Sequence, residues 1–137
     1  MEYGNIIEIC ADGYERTAAL NCTGNIKNVH FLEYDEYFSG GYQHLKRQIG
    51  DVLKGRAYIG NICTDRITEE GLMHCQPLKM SSHINAVVEV VGIIDRYTAY
   101  VHTTVSEDII QAEFEHIIPY NAGDKIYIEG SLELDIL

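Results

Sequence analysis

Residues 125–136 read Lys125-Ile126-Tyr127-Ile128-Glu129-Gly130-Ser131-Leu132-Glu133-Leu134-Asp135-Ile136. Ile126, Ile128, Gly130, Leu132, Leu134 and Ile136 share one parity, and Lys125, Tyr127, Glu129, Ser131, Glu133 and Asp135 the other. Successive side chains of a strand point to opposite faces, so this spacing predicts a long strand with an apolar inner face and a mostly acidic outer one. Asn121-Ala122-Gly123-Asp124 supplies the turn before it. A glycine at an inward position, here Gly130, lets a long strand bend sharply, as at the corner of a barrel.

The same period of two recurs outward from this stretch. Ile110, Ala112, Phe114, His116 and Ile118 form an apolar face opposite Gln111, Glu113 and Glu115, and Ala99, Val101, Thr103 and Val105 alternate with Tyr100, His102 and Thr104. Val87 to Ile94 is almost wholly apolar and reads as a central strand covered on both sides. In the first half, Asn5–Cys10, Glu15–Cys22, Lys27–Tyr37 and Val52–Ile62 read as strands, with turns at Asp12-Gly13 and Thr23-Gly24-Asn25. Helical signal is confined to residues 42–48 and to a single turn capped by Thr68 and ending near His74. The expectation is an all-β fold: one small barrel or curled β-sandwich of about eight strands, with one or two short helical turns. At 137 residues a single domain is expected.

Ile49-Gly50-Asp51-Val52 resembles Ala122-Gly123-Asp124-Lys125, each ahead of a long strand with an inward glycine, a weak internal repeat relating residues 1–68 to 83–137. From Val87 onward the chain resembles an OB-fold barrel, in Val90-Val91-Gly92-Ile93-Ile94, Ile110-Gln111-Ala112-Glu113-Phe114 and the run from Gly123 to Leu134. That resemblance implies a face that takes single-stranded nucleic acid or an oligosaccharide. These strands lack the basic residues that track a phosphate backbone.

Charge narrows the function classes. The net charge is −11, from 21 acidic and 10 basic residues. Residues 1–68 hold nine Asp/Glu against seven Lys/Arg, residues 69–137 twelve against three. Such a chain is poorly suited to neutralising phosphates or to lying on an anionic membrane, and its field attracts cations and basic proteins. No run is long and apolar enough to cross a membrane as a helix, and Met1-Glu2-Tyr3-Gly4 has no basic stretch before an apolar one, so a cytoplasmic location is expected.

Chemistry-bearing motifs are scarce. No P-loop, Rossmann fingerprint, G-x-S-x-G elbow or H-E-x-x-H occurs. The four cysteines are spaced 12, 41 and 12 apart with no C-x-x-C, so neither a zinc site nor another cofactor is expected, and Cys10, Cys22 and Cys63 read as buried small hydrophobes. Cys75 beside His74 is the one arrangement open to a small metal- or thiol-dependent enzyme. Glu113 and Glu115 read as a solvated strand face rather than an acid–base pair, and no catalytic residue is assigned.

Tyrosine is over-represented: ten, against three Phe and no Trp. Tyr34, Tyr37 and Tyr42 cluster with Asp35 and Glu36. Tyrosine suits interfaces because its rigid ring also carries a hydroxyl. The expected binding surface is therefore Tyr34, Asp35, Glu36, Tyr37 and Tyr42, with the acidic strand faces at Glu113, Glu115, Glu129, Glu133 and Asp135. The expected function is binding and blocking a basic protein, as immunity proteins do to nuclease toxins. The alternatives are the OB-type binder and the small metal or thiol enzyme.

Overall fold

A computed structural model describes the backbone of residues 2–137 and the side chains of residues 4–137. Nine strands form one sheet: β1 (Glu2–Asp12), β2 (Glu15–Cys22), β3 (Asn25–Leu32), β4 (Val52–Ile67), β5 (Met73–Cys75), β6 (His83–Ile93), β7 (Thr98–His102), β8 (Ile110–Phe114) and β9 (Lys125–Ile136). The described residues contain no helix, and so none long and apolar enough to cross a membrane.

The two longest strands, β4 and β9, form the spine. They pair antiparallel from Gly55↔Ile136 to Ile67↔Ile126, with one irregularity between Gly60 and Thr64, where Asn61 takes a φ of 57°. On its other edge β4 carries β1, antiparallel over Val52–Gly55, and then β8, parallel from Tyr58 to Ile62. The other edge of β9 carries β6, antiparallel over Lys125–Ser131, and then β3, parallel at Glu133. Strands β1–β2–β3 and β6–β7–β8 are antiparallel meanders. The sheet thus makes two five-strand circuits that share β4 and β9. Around the outside the pairings trace a ring of eight strands, with β5 added at the edge of β6.

Both circuits use the same face of the spine. Ile126, Ile128, Leu132 and Leu134 are all buried, as their shared parity predicts, and one apolar core runs from Leu20, Phe31 and Leu53 to Val88, Val101 and Phe114. The spine is tight because two inward positions lack side chains. A Cβ on Gly55 would run into the Asp135 carbonyl oxygen, and one on Gly130 would lie 2.6 Å from the Gly60 carbonyl oxygen. The glycines therefore permit close backbone approach of the facing strand as well as bending.

The bonding of the two halves matches. Gln48 N–H donates to Asp51 Oδ2 at 2.9 Å, and Asn121 N–H to Asp124 Oδ2 at 2.9 Å. Gly50 N–H donates to Ile6 O and Gly123 N–H to Val90 O, both at 2.8 Å; Ile6 N–H returns to Asp51 O and Val90 N–H to Asp124 O, both at 2.9 Å. Strands β1 and β6 each shift register one residue later, between Ile6 and Glu8 and between Val90 and Gly92. Counting from Asp51 and from Asp124, Ile59 and Leu132 hold the same position, and they pair with each other. The pairing pattern is therefore pseudo-symmetric about that pair: β1 joins β4 as β6 joins β9, and β8 joins β4 as β3 joins β9.

The β3–β9 seam is the thinnest closure, a single bridge at His30↔Glu133. Beside it the Gln76 side chain acts as a substitute peptide: its Oε1 accepts from Asn28 N–H at 2.8 Å and its Nε2 donates to Asn28 O at 2.6 Å.

Several boundaries differ from the sequence reading. Residues 42–48 form no helical turn, because side chains bond back to the preceding segment instead: Gln43 Nε2 donates to Tyr37 O at 3.0 Å, and Arg47 pairs with Glu33. The turn expected after Thr68 is also absent. Thr68 N–H extends the spine to Lys125 O at 3.0 Å, and the chain then enters β5, the strand outside the ring of eight. Strand β3 stops at Leu32 rather than Tyr37, and His116 and Ile118 lie beyond the end of β8. Residues 87–137 do not close a barrel of their own, since the second circuit takes β4 from the first half.

Gly55→Ala is expected to cost about 3 kcal/mol or more, because the Asp135 backbone has no room to withdraw. Gly71→Ala, where a Cβ meets nothing within 4 Å, is expected to stay within about 0.5 kcal/mol of the parent. Urea denaturation of both variants checks the difference.

Candidate binding surface

The outer face of the spine carries the charged residues. Tyr58 lies across from Glu133, and Arg56 across from Asp135. Parallel β8 places Gln111 beside Tyr58 and brings Glu113 alongside. These side chains converge over Gly60: a Cβ there would sit 3.3 Å from the Tyr58 ring, 3.6 Å from Glu133 Cγ and 3.7 Å from Glu113 Oε2.

Around this point runs a trough. Its larger part, about 780 Å³, is lined by Arg56, Tyr58, Tyr100, Glu107, Glu113 and Asp135 among others. A smaller part of about 290 Å³ shares Tyr58 and Asp135 and adds His30, Tyr34 and Glu133. The electrostatics are those of an acid cluster with few cations. Burial, followed by the charges of Asp135 and Glu133, raises the Glu113 pKa above the usual carboxylate value. Burial and then the charges of Glu133, Glu113 and Asp135 push the Tyr58 hydroxyl up to about 12.

A histidine is built into the trough wall. His30 Nδ1 lies 2.5 Å from Glu133 Oε2 and its Nε2 lies 3.0 Å from Glu15 Oε1. The hydrogen bond to Glu133 is the largest influence raising its pKa, working against burial and assisted by Glu15.

Tyr34 joins this trough to an aromatic platform. Tyr34 is 78 % exposed, and its ring lies 6.5 Å from that of Tyr14, which meets Tyr37 edge-on at 5.0 Å. Buried Arg16 fixes both segments. It donates to Gly13 O at 2.8 Å, Glu15 O at 2.9 Å and Glu36 O at 2.7 Å, and pairs with Glu36 Oε1 at 3.1 Å. Gly13 and Phe38 exchange backbone hydrogen bonds across the same junction.

The expected surface residues thus fall into groups. Tyr34, Glu113, Glu133 and Asp135 meet at the trough, and Tyr37 lies on the adjoining platform. Asp35 and Glu36 sit nearby, but their charge is matched locally. Lys46 Nζ lies 3.0 Å from Asp35, and its hydrogen bond is the main cause holding that carboxyl below the usual range. Glu36 holds Arg16 and accepts from Lys46 N–H. Tyr42 is fully exposed on the 39–48 segment; the ring contacts of Tyr37 and Tyr34 run to Tyr14 instead. Glu129 lines a separate hollow of about 350 Å³ with Cys63 and Ser131, and Glu115 is exposed past the end of β8. The sequence reading missed Tyr14, Tyr58 and His30. Tyr58 alternates with the inward Ala57 and Ile59, a signal that was present. The other two are placed by long-range pairing.

The cysteine reading needs correction. Only Cys22 is buried; Cys10 and Cys63 are exposed, Cys10 lying past an irregularity in β1 and Cys63 within the one in β4. His74 Nδ1 faces Thr104 Oγ1 at 2.7 Å, and burial, then Lys27, lowers its pKa. Among the described residues no three His, Cys, Asp or Glu side chains group as metal ligands. His116 Nε2 and Tyr120 OH both bond the buried Asp65, which pins the segment after β8 onto β4.

Arg16→Ala removes the guanidinium that donates to three carbonyls and to the Glu36 carboxylate. It is expected to cost about 3 kcal/mol in urea titrations and to weaken the near-ultraviolet circular dichroism of the tyrosine platform.

Compared with protein-family models, with curated proteins and with solved structures, the chain matches none.

Proposed function

We propose that this chain is a binding protein that docks a basic segment of a partner protein along the trough, with the tyrosine platform as the adjoining anchor. The observation that carries the reading is the position of Tyr34, which borders the acidic trough and contacts the aromatic platform. A cationic side chain entering the trough meets Glu113, Glu133 and Asp135, and its charge relieves their mutual repulsion. A guanidinium also stacks on the faces of Tyr58 and Tyr34. Arg16 holds the platform in place before binding, which lowers the ordering cost of association. In its most specific form the protein blocks its basic partner, as immunity proteins cover nuclease toxins. The trough's charge disfavours the OB-type nucleic-acid reading, because five carboxylates at Glu107, Asp108, Glu113, Glu133 and Asp135 would repel a phosphate backbone.

The test is fluorescence titration with a labelled arginine-rich peptide at low and at high salt. Binding is expected at low salt and is expected to weaken as salt rises. Joint Glu113→Gln and Asp135→Asn changes, and separately Tyr34→Ala, are expected to weaken it by about tenfold, while Glu129→Gln in the separate hollow leaves it unchanged. An equal loss from Glu129→Gln would mean diffuse attraction to an acidic surface and would overturn the reading. Binding of a neutral oligosaccharide, insensitive to salt, would replace it with the carbohydrate alternative.

A further inference from the structure

His30 stands where the sheet is thinnest. The first circuit closes on β9 through one bridge, and that bridge is His30↔Glu133. The side chains of the same two residues meet at 2.5 Å, and the far side of the imidazole faces Glu15 of β2 at 3.0 Å. A neutral imidazole has one N–H, whereas an imidazolium has two. Two carboxylates, one on each side, can both accept from the ring only while it carries both protons. Glu133 is nearly buried, so it has little water to fall back on when its counter-ion goes.

We propose that His30 is a proton-operated latch on the β3–β9 seam: as an imidazolium it ties β2 and β9 to β3, and when it loses a proton it must release one carboxylate and the seam loosens. The groups around the ring favour the closed form. Glu133 and Asp135 of β9, Tyr58 of β4 and Tyr34 share one hollow with His30, and Asp12, Cys10 and Glu15 share another on its far side. Glu113 of β8 approaches from beyond Gly60. Among these there is no lysine or arginine, although Arg56 lies across from Asp135.

The hydrogen bond to Glu133 keeps the proton on His30 to higher pH than usual. A group whose folded pKa is raised contributes stability that is complete below its unfolded value of about 6.5 and is lost as pH rises through the folded value. The latch is therefore shut in mild acid and opens toward alkaline pH. Opening also frees negative charge toward the trough. The inference does not depend on the docking proposal, because it is read in the free protein.

The experiment is an NMR titration of the His30 Cε1 proton, with amide hydrogen exchange followed over the same pH range. His30 is expected to titrate above about 6.5. Amides flanking the bridge, at His30, Phe31, Glu133 and Leu134, are expected to gain about tenfold in exchange over amides of the β6–β9 pairing at residues 126–130, which supply the intrinsic pH reference. Glu15→Gln, at an exposed position, is expected to shrink that gain without unfolding the chain. Titration of His30 at or below the ordinary value, or seam amides that track the β6–β9 amides throughout, would overturn the proposal.

Discussion

The backbones of β4 and β9 pack together more closely than side chains would allow. Gly55 faces the Asp135 carbonyl and Gly130 the Gly60 carbonyl with no space for a Cβ at either place. That contact lets two long strands stay paired over most of their length while each turns to meet different neighbours along its outer edge. Two circuits, one continuous core and the pseudo-symmetric pairing all follow from a spine that both halves share. Each meander joins its own long strand through its first member and the other half's long strand through its third. Neither circuit can close without a strand from the other half.

The same crossing builds the trough. Parallel pairing of β8 with β4 and of β3 with β9 brings Glu113 and His30 to the outer face of the spine, beside Tyr58 and Glu133. Of the first half's cations Arg56 lines the trough, while Arg16, Lys46 and Arg47 are held elsewhere. Arg16, Lys46 and Arg47 pair with Glu36, Asp35 and Glu33 and hold the 33–51 segment against the barrel end, with the Arg47 guanidinium 6.0 Å from the Phe31 ring. Residues 69–137 have three lysines and arginines for twelve acids. The uneven distribution along the sequence becomes an uneven surface: a braced, locally neutral tyrosine platform beside an acidic trough. Such a field steers cationic partners.

Much of the fold was legible because alternation survives in tertiary structure. The inward parity of Ile126, Ile128, Leu132 and Leu134 and that of Leu53, Ala57 and Ile59 are both observed. The misreadings came where bonds distant in sequence override local preference. Gln43 and Arg47 bond backward, so residues 42–48 do not coil. Cys10 lies past the irregularity near Ile7 and Cys63 within the one near Asn61, and alternation alone cannot locate these irregularities. The surface was legible in part for the same reason. An outward acid on a strand is visible in sequence, but which outward acids meet depends on parallel pairing between segments some fifty to a hundred residues apart. Tyr14 and Arg16 belong to the platform through contacts with Tyr34, Tyr37 and Glu36 that no local pattern announces.

The shared spine makes the two circuits one cooperative unit, and site-resolved hydrogen exchange across a denaturant series tests that most directly. The expected result is that amides at the centres of β2, β4, β7 and β9 converge on one opening free energy, with both halves unfolding together. Exchange of β2 through a separate, lower-energy opening while β6–β9 stay protected would contradict it, and would show that the second circuit stands without the first.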